Sequence, residues 1–139
     1  NSIDAPIFPR SGSEVSLSLE VTPPYSAFND KDYTTLSENE KYKWIEYHKW
    51  KIKANFYTKL IGNLVLSTRT QFGFLGAYSG ELGVTPFERF YLGGDGLSGY
   101  NNLDGLELIG MLGYGNETIT PDYYLNSNLG GTIYSKYTF

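Results

Sequence analysis

Four stretches of this chain alternate apolar and polar residues with a period of two, and that alternation limits the fold more than any other feature of the sequence. "SEVSLSLEVT" sets Val15, Leu17, Leu19 and Val21 against Ser16, Ser18, Glu20 and Thr22. "HKWKIKANFY" sets Trp50, Ile52, Ala54 and Phe56 against Lys49, Lys51, Lys53 and Asn55. "NLVLSTRTQFGF" places Leu64, Leu66, Thr68, Thr70, Phe72 and Phe74 opposite Ser67, Arg69, Gln71 and Gly73. "TIYSKYTF" closes the chain with Ile133, Ser135, Tyr137 and Phe139 opposite Tyr134, Lys136 and Thr138. Side chains of a strand point alternately to its two faces, so each stretch predicts a strand with one apolar and one polar face. Asn1 to Phe8 is expected to hold the end of a fifth.

The connections alternate in length. "FPRSG" and "IGN" are tight turns, whereas "PPYSAFNDKDYTTLSENEKY" and the segment from Pro86 to Pro121 are long, and the latter holds half of the chain's 16 glycines. In an up-and-down meander both short turns fall at one end of the sheet and both long loops at the other. Transmembrane barrels have this asymmetry, with short periplasmic turns and long external loops. In such a barrel the apolar face meets lipid, and Lys49, Lys51, Lys53 and Arg69 point into a hydrated lumen. Four or five strands cannot close a barrel, for which about eight is the practical minimum. Asn1 is not an initiator Met and no apolar run near it resembles a signal peptide, so the chain is expected to be a segment of a longer protein.

Composition narrows the function classes. Aromatic residues make up 17% of the chain, with 13 Tyr, 8 Phe and 2 Trp. Such amphipathic rings suit an aromatic girdle at a membrane surface or a sugar-binding all-β domain. A net charge of −4 gives no basic footprint for nucleic acid, and the absence of cysteine removes disulfides and thiolate metal sites. His48, the single histidine, has no triad partners and reads as a surface residue on a strand extension. Asp30, Asp32, Glu38 and Glu40 lack the spacing of a calcium loop and read as a solvated acidic loop. "GGDG" at 93 to 96 has no following Walker-type Lys and reads as turn and packing glycine. No enzyme activity, cofactor or metal is expected.

The run "NSIDAPIFPRSGSEVSLSLEV" resembles the turn and following strand in the barrel of BamA-like outer-membrane assembly proteins. "PFERFYLGGDGLSGY" is similar to the aromatic stretch that opens the family's long sixth extracellular loop, and "LGYGNETITP" resembles the tip of that loop. Order and spacing agree over nearly the whole chain. The resemblance implies an all-β, antiparallel meander: residues 1–139 as an incomplete segment of one C-terminal outer-membrane barrel domain, with the glycine-rich loop folded into the lumen. It implies loop packing and tip roles for Phe87, Phe90, Tyr91, Gly93, Gly94, Leu112, Gly113 and Tyr114, with Tyr100 adding packing surface. The family tip carries an Arg before Gly-Tyr, where this chain has Leu112; the alternative register offers Ser98.

The function implied by the resemblance is to fold and insert β-barrel proteins into the bacterial outer membrane. The partners implied are outer-membrane lipids, unfolded barrel clients and accessory assembly lipoproteins, with no nucleic acid. "YSKYTF" looks like the aromatic-x-aromatic ending of many outer-membrane strands. Two alternatives stay open: a related translocation or secretion pore with a dedicated client, and a soluble carbohydrate-binding β-sandwich. The sandwich predicts a fragment that is folded and monomeric without detergent.

Overall fold

The structure, a computed structural model, describes residues 2–5, 7–28, 35, 37, 45–78, 83–95, 107–120 and 130–139. Strands β1 (Gly12–Val21), β2 (His48–Lys59), β3 (Val65–Gly76) and β6 (Ile133–Thr138) form an antiparallel sheet in the order β1-β2-β3-β6. The four alternating stretches are these four strands, with no boundary shifted by more than two residues. Two further strands, β4 (Phe90–Leu92) and β5 (Glu107–Ile109), pair with each other inside the glycine-dense segment. No helix among the described residues is long and apolar enough to cross a membrane, which leaves a β-barrel crossing untouched.

The chain clusters into two compact units. The first comprises Asn1–Leu19, Trp50–Phe74 and Tyr134–Phe139, and so holds most of the sheet. Its apolar face is exposed: Leu17 retains 62% of its accessible surface, Ile52 40%, Leu66 42% and Tyr137 63%. The polar face carries a ladder across three strands. Asn55 donates to Glu14 at 3.2 Å and accepts from the Arg69 Nε at 3.0 Å. On the same face Lys51 is half-buried, and Lys53 and Arg69 are exposed.

No strand is assigned among residues 2–5 and 7–11, although Asn1 to Phe8 is expected to hold the end of a fifth. They fold as an arch onto the start of β1: Ser2 donates to the Ser13 carbonyl at 2.8 Å and Asp4 to the Ser11 carbonyl at 3.2 Å. The Asp4 carboxylate in turn accepts the N–H groups of Arg10 (2.9 Å) and Ser11 (3.2 Å), which hold its pKa below the ordinary 3.8. A lowered carboxylate pKa stabilises the folded arch above the ordinary value, and that contribution is lost as the pH falls through the lower folded value. The protection of the Arg10 and Ser11 amides, taken relative to their intrinsic exchange rates at each pH, is therefore expected to fall as the pH drops below about 3.8, and Asp4→Asn to abolish that step. Hydrogen exchange across this range checks both.

The second unit comprises Glu20–Lys49 and Leu75–Ile133. Its core is Leu75, Phe90, Tyr91 and Ile109, all buried. The start of the first long loop belongs to the same unit and is pinned by its own bonds. Thr22 donates from its N–H to the Tyr47 carbonyl at 3.0 Å, and its hydroxyl accepts the Tyr47 N–H at 2.8 Å. Buried Glu46 accepts both the N–H and the hydroxyl of Ser26. His48 is half-buried with its ring 5.4 Å from that of Tyr78, a more enclosed position than the surface one expected. Asp30, Asp32, Glu38 and Glu40 lie outside the described residues.

Candidate functional site

The second unit is organised around a lysine. Lys49 stands on the polar face of β2, and its side chain is only 1% exposed. Lysine is almost never this buried without partners. Its ammonium lies 2.7 Å from Glu107 and 3.1 Å from Glu88, and 4.9 Å above the centre of the Phe90 ring. Two carboxylates and an aromatic face thus replace the water that the cation gives up.

Pairing register brings these groups together. β4 and β5 run parallel, with Phe90 opposite Glu107, Tyr91 opposite Leu108 and Leu92 opposite Ile109. Glu107 is therefore delivered beside Phe90, under the same ammonium. Glu88 precedes Phe90 by two residues and adopts φ 63, a left-handed conformation that non-glycine residues seldom occupy. Phe90 also exchanges both backbone hydrogen bonds with Gly131, at 2.7 and 2.9 Å, which ties the start of the loop to the approach to β6. Arg89 turns away from the cluster and donates to the carbonyls of Thr85 (3.0 Å) and Val84 (3.4 Å).

Backbone bonds also join the described parts of the segment. Gly94 and Met111 form a bridge, and Gly94 also donates to the Tyr114 carbonyl at 3.0 Å. Buried Thr120 accepts the Leu92 N–H at 2.9 Å through its hydroxyl. Thr120→Val keeps the shape and removes that acceptor, so it is expected to cost about 1–3 kcal/mol locally and to speed exchange of the Leu92 amide. Amide-resolved hydrogen exchange checks it.

The loop residues singled out from the sequence divide by burial. Phe90, Tyr91, Gly93 and Gly94 are buried, whereas Phe87, Leu112, Gly113 and Tyr114 are exposed, Leu112 by 86%. Gly96, Ser98 and Tyr100 lie outside the described residues. Of the polar-face cations named from the sequence, Lys49 is held by Glu88 and Glu107. Sequence reasoning did not find Glu88, Glu107 or Thr120. The available signal was two glutamates flanking the aromatic stretch of a loop that starts from a lysine-bearing sheet.

No group of three or more metal-ligating side chains occurs among the described residues. The cluster ties Glu88 and Glu107 of the glycine-dense segment to Lys49 of β2. A family model described as the Omp85 superfamily domain matches residues 1–139. No curated protein and no solved structure matches the chain.

Proposed function

Since this chain belongs to the Omp85 superfamily of outer-membrane protein insertion and translocation proteins, we propose that it is part of a general assembly factor that folds and inserts β-barrel proteins into the bacterial outer membrane. The observation that carries the membrane reading is the exposed apolar face of the sheet. The face that a soluble sandwich would pack against a second sheet is exposed here on all four long strands, while polar-face positions Lys49 and Leu75 are both 1% exposed. An outward apolar band is what a barrel wall presents to lipid.

The Lys49 cluster supports a structural role for the loop. It holds β4 and β5 against the polar face of β2 by charge and ring contacts, without an arginine at the tip. In this reading the loop occupies the lumen and stiffens the wall, and the protein thins the nearby bilayer and offers strand edges to unfolded clients. Both effects lower the cost of bringing unpaired backbone into hydrocarbon. Outer-membrane lipids, unfolded clients and accessory lipoproteins are the partners of this reading; no nucleotide, metal or enzymatic step belongs to it.

Depletion of the full-length protein in its native cell, followed by quantitative profiling of the outer membrane, tests the reading. Broad loss of many barrel proteins is expected. Loss confined to one protein would replace it with a dedicated translocation pore.

A further inference from the structure

A second candidate site lies in the first unit. Between the arch and the β2–β3 turn is a cavity of about 600 Å³, lined among others by Phe8, Arg10, Tyr57, Asn63, Leu64 and Ser67. That volume falls within the ordinary range of ligand pockets and admits a few side chains of an extended peptide. Phe8 is 86% exposed and adopts φ 59, an outlier conformation for a bulky residue. The Asp4 carboxylate clamps the amides that follow it, so the arch holds a large ring in water in a disfavoured backbone. Local strain maintained in this way is a feature of ligand clamps. Beside the ring stands Arg10, whose guanidinium has no carboxylate partner among the described residues, and no carboxylate lines the cavity.

We propose that this cavity is a docking site for an extended segment of a separate, unfolded polypeptide carrying a large apolar side chain next to a carboxylate. The apolar side chain packs against Phe8, Tyr57 and Leu64, and the carboxylate pairs with Arg10 in the bidentate geometry that guanidinium favours. Asn63 and Ser67 supply polar groups for the peptide backbone. Both short connections contribute lining residues, so the site opens at the short-turn end, the periplasmic side of an outer-membrane barrel. The choice of client as occupant rests on the function proposed above.

The test uses the full-length protein in nanodiscs and a short fluorescent peptide of alternating polar and apolar residues containing Phe beside Glu. Saturable binding is expected, weakened about tenfold by Glu→Gln in the peptide or by Arg10→Gln in the protein. Phe8→Asn keeps a residue that tolerates the left-handed backbone and removes the ring, so it should preserve the heat-resistant folded band and lose the peptide. A photo-reactive residue at position 57 should crosslink to the peptide and, in cells, to other polypeptides. Equal affinity for the Glu and Gln peptides, binding indifferent to Phe8→Asn, or crosslinks confined to the protein's own chain would each overturn the proposal. These outcomes leave the depletion result untouched, so the pocket and the assembly function can fail separately.

Discussion

Lys49→Glu is expected to release the glycine-rich loop from β2 and to be the most damaging single substitution in the chain. It places three carboxylates where the ammonium now meets Glu107 at 2.7 Å and Glu88 at 3.1 Å. Even Lys49→Met, which keeps most of the stem packing, strands two partly buried carboxylates. Removing one partner of a buried pair costs about 3–5 kcal/mol. Glu88 and Glu107 keep 38% and 26% of their side-chain exposure, so the lower end of that range applies. The expected readouts are a folded band that unfolds at lower temperature on semi-native gels and faster proteolysis of the loop. Combining Lys49→Glu with Glu88→Lys and Glu107→Lys restores opposite charges and should recover much of the loss. An unchanged Lys49→Met protein would show that the tether carries no stability.

The second large effect is expected at Gly93, and the contrast with Gly113 makes it diagnostic. Both have positive φ, +126 and +91. A Cβ at Gly93 would collide with the backbone carbonyl of Gly115 and crowd the amides of Glu117 and Thr118, whereas a Cβ at Gly113 meets nothing within 4 Å. Gly113→Ala therefore costs only backbone strain, about 1–2 kcal/mol. Gly93→Ala adds a clash with backbone that cannot rotate away. It should cost more than about 3 kcal/mol and leave little folded protein in the membrane. The quantity to compare is the folded fraction of the two variants; equal fractions would mean that the loop shifts freely around Gly93.

The sheet was legible because alternation over ten or more residues identifies a strand and its two faces at once. In β2 it placed Lys49 opposite Trp50 and Ile52 but could not show that the lysine is buried. That burial depends on β4 and β5, each only three residues long, too short to display any period. Their parallel register, which delivers Glu107 to Lys49, is a tertiary property of "FYL" and "ELI" with no local signature. The resemblance marked the aromatic and glycine residues but not the charges, because its motifs do not single out Glu88 and Glu107, which carry the ion pairing. The expected end of a fifth strand is seen only as backbone bonds from Ser2 and Asp4 to Ser13 and Ser11, beside which the Asp4 carboxylate captures the amides of Arg10 and Ser11.

The pairing of Phe90 with both Glu107 and Gly131 also sets an order of events. The β2–β3 hairpin closes through a turn in which Leu60 and Leu64 bond directly, and such hairpins form within microseconds. The contacts of Phe90 join residues distant in sequence and need two chain closures, so their entropic cost comes before any reward. Nucleation therefore belongs to the hairpin and the tethered loop is added late. Until that closure, a nascent chain carries Lys49 without its carboxylate and ring partners, and the interval between hairpin and loop is when it is most vulnerable to proteases and mispairing.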